Sequence, residues 1–152
     1  MKRIAALIVG LVLLAGTSFA AERGSADEAR ALALKAAALF QSQGDGAFGV
    51  FNGDKDRFID RDLYITVIDL SGVVRASSGP SAALIGKNTM DAEDPDGRKF
   101  VQEFMKIAGS EGREGWVTYK YIDPITKKIA QKKTFVRRAG DYVITCGSYV
   151  AA

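Results

Sequence analysis

Five polar side chains near the end of the chain have types and spacing that suit the binding of a small anion. Two tyrosines alternate with other residues in one strand-like run, and two lysines and a threonine follow one another in the next. These residues are Tyr119, Tyr121, Lys132, Lys133 and Thr134. Ammonium and phenol groups in an aromatic setting bind carboxylates through charge-assisted hydrogen bonds. A solvent-facing lysine beside surface tyrosines is the alternative interpretation of the same residues.

Three strand-like runs must position these groups. The runs, which are rich in aromatic and β-branched residues and separated by short polar turns, are residues 116–122, 129–138 and 142–150. This pattern predicts an antiparallel meander. Because side chains alternate between the two faces of a strand, Tyr119 and Tyr121 share a face. Whether Lys132 or Lys133 joins them stays open at this point.

Upstream of the meander, the sequence predicts two helices and a hairpin. Residues 25–43 begin with the capping box of Ser25 and Glu28 and precede the helix-ending Gly44. The apolar stripe of this helix, which we expect to pack on a sheet, is Ala29, Leu32, Ala33, Ala36, Leu39 and Phe40. The strands of the predicted hairpin are residues 63–68 and 73–76. The second predicted helix is residues 96–108, and Asp94 or Asp96 is expected to cap it. This order of elements predicts an α+β fold with one antiparallel sheet.

The chain also resembles a known family, the single Cache domain of type 2. The features that carry the resemblance are Gly115-Trp116, the Asp123-Pro124 turn, the run of residues 132–136, the closing Gly147-x-Tyr149, and residues 62–77, 84–88 and 94–104. The resemblance spans residues 25–150. It implies a PAS-like fold with a five-stranded antiparallel sheet, a long N-terminal helix on one face and a ligand pocket on the other.

The resemblance implies roles for particular residues. A Tyr on the Gly-Trp strand and a Lys on the following strand help to hold the ligand in the family, and they match Tyr119 and Lys132, with Lys133 as the alternative register. Tyr121 stands where relatives often have Trp. Ser77 stands where they often have His, which changes the reach and charge of one donor. Further candidates for the cavity wall, each of which also fits an ordinary core position, are Tyr64, Phe100 and Met105.

The first twenty residues have the pattern of a secretory signal peptide. Lys2 and Arg3 precede an apolar run at residues 4–14, and small residues then offer a cleavage site after Ala20. We therefore expect residues 21–152 to form one domain in the periplasm or outside the cell. Retention of the segment as a membrane anchor is the alternative.

Composition narrows the range of functions. Without Lys2 and Arg3 the formal net charge falls from +3 to +1, so no nucleic-acid partner is expected. The chain has no histidine, the usual general base and metal ligand, and no nucleophile or phosphate-binding motif. We therefore expect no catalytic residue and no cofactor. Cys146 is the only cysteine and is expected to be a buried thiol.

Two acidic segments could suggest a metal site. Asp94, Asp96, Gly97 and Glu103 fall at calcium-loop positions, but Ala92 would occupy the first position and cannot coordinate an ion. The other segment, which fits a solvated loop better than a cation site, contains Asn52, Asp54, Asp56 and Asp60. We expect no metal at either place.

Together these features predict an exported, non-enzymatic sensor domain that binds an organic acid of two to four carbons or a similar small metabolite. No kinase or methyl-accepting segment is present in the sequence, so signalling would need a separate partner such as a membrane receptor, a kinase or a transporter. A homodimer formed through the N-terminal helix is a further expectation. The alternative is an interaction or structural protein with the same fold and a degenerate pocket.

Overall fold

A computed structural model describes residues 22–150, and the predicted signal peptide at residues 1–20 lies outside them. The helices are α1 (Ala26–Gln43), α2 (Gly46–Gly53), α3 (Lys55–Phe58) and α4 (Phe100–Ala108), with a 3-10 helix at Pro80–Leu84. The strands are β1 (Ile59–Asp60), β2 (Leu63–Asp69), β3 (Val74–Ser77), β4 (Glu114–Ile122), β5 (Ile129–Ala139) and β6 (Tyr142–Tyr149). Within these residues, no helix combines the length and the apolar character needed to span a bilayer.

The strands form one antiparallel sheet in which β2, β6, β5 and β4 lie side by side. β3 and the two-residue β1 both pair with β2. The predicted α+β, PAS-like fold with a long N-terminal helix is therefore confirmed, and β1 adds a short sixth strand to the expected five. Because the last strand, β6, lies between β2 and β5, it joins the hairpin and the meander into a single sheet.

The predicted capping box defines the start of α1. The Glu28 N–H donates to the Ser25 hydroxyl at 3.2 Å, and the Ser25 N–H donates to the Glu28 carboxylate at 2.7 Å. The helix ends at Gly44, whose φ of +56° lies in the region that glycine adopts most readily, and whose N–H donates to the Phe40 carbonyl. Both ends of this helix are thus determined by residues next to it in sequence.

Small side chains let α1 pack closely on one face of the sheet. Ala29, Ala33 and Ala36 are completely buried. These alanines belong to one core with large buried side chains from the sheet and from α2 and α3. The large side chains are Phe51, Phe58, Leu63, Ile65, Phe135 and Ile144. Cys146 is buried in the same core, and burial raises the pKa of its thiol to about 12, so it is the unreactive buried thiol that was expected.

α4 begins at Phe100, four residues later than predicted. The Asp94 carboxylate accepts the N–H groups of Asp96 and Arg98, both at 2.9 Å, and holds residues 94–98 in a turn. The prediction that Asp94 or Asp96 caps the helix is therefore wrong. Lys99 is the N-cap residue and makes no side-chain capping bond. The side-chain hydrogen bonds of Asp94 compete with helix formation at this point.

α4 covers the face of the sheet opposite α1. Its buried side chains, Phe100, Val101, Phe104 and Ala108, form a second core with apolar residues of β2, β3, β4, β5 and β6. The two cores therefore lie on opposite faces of one sheet. The second core encloses polar side chains as well, and it contains the site described next.

Candidate functional site

A cavity of about 120 Å³ lies between α4 and the sheet. A cavity of this size has room for several water molecules or for a small organic molecule. Its apolar wall consists of Ile68, Val74, Leu84, Ala92, Phe100, Val101 and Phe104. Its polar wall consists of Thr66, Ser81, Thr89, Glu93, Tyr119, Tyr121, Lys132 and Thr145. Apolar walls with a few convergent polar groups are typical of small-molecule sites.

The register of the meander places Lys132 in this cavity. Lys132 pairs directly with Tyr119 on β4 and with Tyr149 on β6, so the three side chains share the cavity face. Only 4% of Lys132 is exposed to solvent. Lys133 lies on the opposite face, where it is exposed and its ammonium stands 4.8 Å from the centre of the Trp116 ring.

Aromatic rings surround the Lys132 ammonium. Its Nζ donates to the Tyr64 hydroxyl at 2.8 Å and lies 4.2 Å from the centre of the Tyr64 ring. The ring centres of Tyr149 and Tyr121 are 5.1 and 5.3 Å away. Cation–π contacts of this kind favour a charged ammonium. Among residues 22–150, however, no carboxylate forms an ion pair with Lys132.

The phenols around Lys132 keep it charged. Burial lowers the pKa of its ammonium, but the oxygens of Tyr64, Tyr119 and Tyr149 outweigh burial and raise this pKa well above its ordinary value. For Tyr64, burial raises the pKa of the phenol, but the Lys132 charge and the hydrogen bonds from Lys132, Tyr149 and Ser81 together outweigh burial and lower it. The raised pKa of the Lys132 ammonium and the cation–π contacts both favour its charged form. Its charge can be balanced by an anion in the cavity.

Tyr119 supplies a second polar group to the cavity. Its ring stacks on Phe100 with the ring centres 4.2 Å apart, and the Thr134 hydroxyl donates to its phenol oxygen at 3.2 Å. Burial raises the pKa of Tyr119 to about 12, so the phenol keeps its proton at neutral pH. Because the oxygen already accepts from Thr134, that proton is available to a ligand in the cavity.

The residues singled out from the sequence take different places around the cavity. Tyr119, Tyr121 and Lys132 line it. Tyr64 and Thr134 lie one hydrogen bond behind the lining, against Lys132 and Tyr119. Phe100 also lines the cavity. Ser77, Lys133 and Met105 do not: the buried Ser77 hydroxyl donates to the Ile65 carbonyl at 2.9 Å, Lys133 lies on the other face, and Met105 packs on the second core.

The sequence did not indicate Thr66 of β2 or Thr145 of β6 as site residues. Thr66 and Thr145 line the cavity and are direct partners in the pairing of β2 with β6. Tyr149 contributes a ring beside Lys132, and the closing Gly147-x-Tyr149 motif was its one sequence signal. Gly147 makes room for the lysine, since a Cβ there would lie 2.3 Å from Thr134 Oγ1 and 2.6 Å from Lys132 Cε.

The acidic turn at residues 94–98 binds to the edge of the sheet beside the cavity. The Asp94 carboxylate accepts the Lys120 N–H at 3.0 Å in addition to its two bonds within the turn, and these bonds lower its pKa. Arg98 donates to the Thr118 carbonyl, also on β4. In the part of the chain that the structure describes, no group of three or more His, Cys, Asp or Glu side chains is arranged to hold a metal ion.

One protein-family model matches this chain. The model of the family described as single Cache domain 2 matches residues 8–151. No curated protein matches the chain.

Three solved structures have similar folds. A methyl-accepting chemotaxis protein from Vibrio parahaemolyticus RIMD 2210633 is 19% identical, with a TM-score of 0.67 over 81% of this chain and 86% of that one. A periplasmic sensor domain of a chemotaxis protein is 27% identical, with a TM-score of 0.66 over 82% and 94%. A Cache chemosensory domain described for carboxylic acid recognition is 19% identical, with a TM-score of 0.66 over 82% and 92%. At 19% identity the first and third structures show a shared fold alone.

Proposed function

The chain belongs to the single Cache domain 2 family, and from this premise we propose that it is a sensor domain that binds a small carboxylate beside Lys132. One observation carries the proposal. A buried lysine faces a cavity, and within residues 22–150 it has phenols around it but no carboxylate partner. Charged side chains are almost never fully buried unless they are paired, so a ligand carboxylate would complete the site.

The cavity supports a ligand of two to four carbons. Lys132 has three N–H donors, of which one is used by Tyr64, and the Tyr119 phenol offers a further donor. A carboxylate that accepts from both groups would direct its carbon chain toward Phe100, Val101 and Phe104. The cavity volume of about 120 Å³ suits a small acid, such as one of two to four carbons.

We also propose where the domain is located and how it transmits a signal. The expected signal peptide and the similarity to a periplasmic sensor domain support a location outside the cytoplasm. We infer that binding is not followed by chemistry, because the residues that line the cavity include no histidine or cysteine and only one carboxylate, that of Glu93. The signal would then pass to a separate protein, such as a membrane receptor, kinase or transporter, through a shift between two conformations.

Calorimetric titration with matched ligands and variants tests this function. Acetate, propionate, pyruvate and butyrate are compared with ethylamine and propylamine on the native chain, on Lys132→Gln and on Lys133→Gln. We expect carboxylates alone to bind, with affinity reduced roughly 10- to 100-fold in Lys132→Gln, because a hydrogen bond to a charged group contributes about 1.5–3 kcal/mol. Lys133→Gln is the matched control and should bind as the native chain does.

The results also distinguish the alternative function. The Ser77 hydroxyl is bonded to the backbone of β2, so it offers no replacement for the donor that relatives often carry there. If a folded sample binds no carboxylate, the sensor proposal is wrong, and an interaction protein with a degenerate pocket becomes the better description. Consumption of a bound acid would instead contradict the inference that the domain is not an enzyme.

A further inference from the structure

Four large apolar side chains are exposed together at one end of the sheet. Ile122 and Ile129 are direct partners in the pairing of β4 with β5, and they are 45% and 56% exposed. Ile125 lies on the turn between them and is 38% exposed. Val150, 55% exposed, follows β6 and donates its N–H to the Gln131 carbonyl. We call Ile122, Ile125, Ile129 and Val150 the tip patch.

The tip patch lies where the N-terminal part of the chain joins the domain. Arg23 precedes α1 and forms ion pairs with Asp62 and with Asp123, which directly follows Ile122. Glu22, an exposed acid, is therefore near the patch, and where the N-terminal segment is retained as an anchor the apolar run of residues 4–14 precedes it. A segment of that composition favours a lipid environment.

Two unpaired lysines stand next to the patch. Lys127 and Lys128 are exposed on the turn, and neither forms an ion pair with another residue in the range 22–150. Asp123, the acidic residue of the turn, is already neutralised by Arg23. Lys127 also has a φ of +59°, a conformation that glycine would adopt with less strain. The turn therefore presents net positive charge beside exposed isoleucines.

We propose that this end of the domain docks on a lipid bilayer that contains anionic headgroups. The isoleucines and Val150 would enter the boundary between headgroups and acyl chains, and Lys127 and Lys128 would bind lipid phosphates. A second copy of the chain fits less well. Four partly exposed side chains offer much less surface than the about 800 Å² that a stable interface buries on each partner. The lysines of two copies would also face each other and repel. The docking does not depend on the carboxylate site.

A fluorescent label that responds to polarity tests this contact on the full chain. The label, a nitrobenzoxadiazole, is attached to Ile125→Cys and, as the matched control, to Glu111→Cys on the loop before β4 at the opposite end of the sheet. Cys146 is buried with a raised thiol pKa, so the native chain should take up no label and serves as the blank. Vesicles contain phosphatidylcholine alone or phosphatidylcholine with phosphatidylglycerol.

We expect the emission of the label at position 125 to move to shorter wavelength with the mixed vesicles, and the label at position 111 to stay unchanged. Adding Lys127→Gln and Lys128→Gln should weaken the docking roughly 30-fold, because each lysine near an anionic surface contributes about a fivefold factor. Equal shifts at both positions, or no shift at position 125, would overturn the proposal. A shift without vesicles that grows with protein concentration would show self-association and would overturn it as well.

Discussion

At the scale of single residues, the site depends on where one ammonium group is held. Lys132 reaches the cavity because Gly147, its neighbour on β6, has no side chain, and because Tyr64 accepts a hydrogen bond from its Nζ. The rings of Tyr64, Tyr121 and Tyr149 then surround the charge without neutralising it. Tyr64 thus contributes to both the position and the charge of Lys132, whereas Gly147 affects its position.

Gly147→Ala tests the position alone. The added methyl group would contact Thr134 Oγ1 and the Lys132 stem, both of which must move. We therefore expect carboxylate affinity to fall roughly tenfold or more, because a displaced ammonium loses a charged hydrogen bond that contributes about 1.5–3 kcal/mol. Calorimetric titration measures the dissociation constant. Gly49→Ala on α2 is the matched control, because no atom outside its own helix lies within 4 Å of the added Cβ. Native affinity in Gly147→Ala would show that Lys132 does not need this space.

At the scale of elements, ion pairs connect the beginning of the domain with the turn between β4 and β5. Arg23 lies between the buried carboxylates of Asp62 and Asp123, and the Gly24 N–H donates to Asp62 at 2.7 Å. Asp123 also accepts the N–H of Ile125 at 2.8 Å. These contacts fix the start of α1 against an end of the sheet that is far away in sequence.

The pH dependence of stability should show this connection. Burial raises the pKa of Asp123, but the Arg23 hydrogen bond and the Ile125 N–H outweigh burial and lower it to about 2. An unfolded aspartate has a pKa of about 3.9, so the unfolded chain binds the proton first as the pH falls. The stabilisation is therefore complete above about pH 5 and is lost as the pH approaches about 2, with a contribution of about 2 kcal/mol.

Urea unfolding across this pH range measures the effect. The native chain should lose stability on acidification more steeply than Asp123→Asn, which lacks the titrating carboxyl. Glu111→Gln, which changes an exposed acid at the other end of the sheet, should behave as the native chain does. Parallel pH profiles for the native chain and Asp123→Asn would contradict the assignment.

At the scale of the whole molecule, one sheet separates a core that is closely packed from a core that holds the cavity. The α1 face is filled by apolar side chains, whereas the α4 face combines phenylalanines with hydroxyl groups and Lys132. Groups from β2, β4, β5, β6 and α4 meet at the cavity. A ligand bound there contacts most of the fold, so binding should stabilise the domain as one unit.

We expect a bound carboxylate to raise the free energy of unfolding in proportion to the logarithm of its concentration. At 100 times the dissociation constant the gain should be about 2.7 kcal/mol. Urea unfolding with increasing concentrations of the best ligand, at constant ionic strength, measures it. Lys132→Gln should gain far less at the same concentrations. An equal gain in Lys132→Gln would indicate a general salt effect and would contradict binding at this cavity.

The sequence by itself determined the features that depend on neighbouring residues. The capping box of Ser25 and Glu28, the helix end at Gly44 and the strands of the meander were predicted and are present, because their hydrogen bonds and alternation involve residues close in the chain. The pairing of β4 with β5 across a short turn also brings Tyr119 beside Lys132, which is one of the two registers that the sequence left open. The start of α4 was predicted incorrectly, because Asp94 forms a competing turn.

Only the tertiary structure decided which groups complete the site. Tyr64 and Lys132 are 68 residues apart, and Thr66 and Thr145 are 79 apart, so their contacts depend on how β2, β5 and β6 assemble into one sheet. Packing likewise decided which of Lys132 and Lys133 faces the cavity, because α1 covers one face of β5 and α4 covers the other. Such long-range contacts follow from the joint burial of distant segments, and no local pattern encodes them.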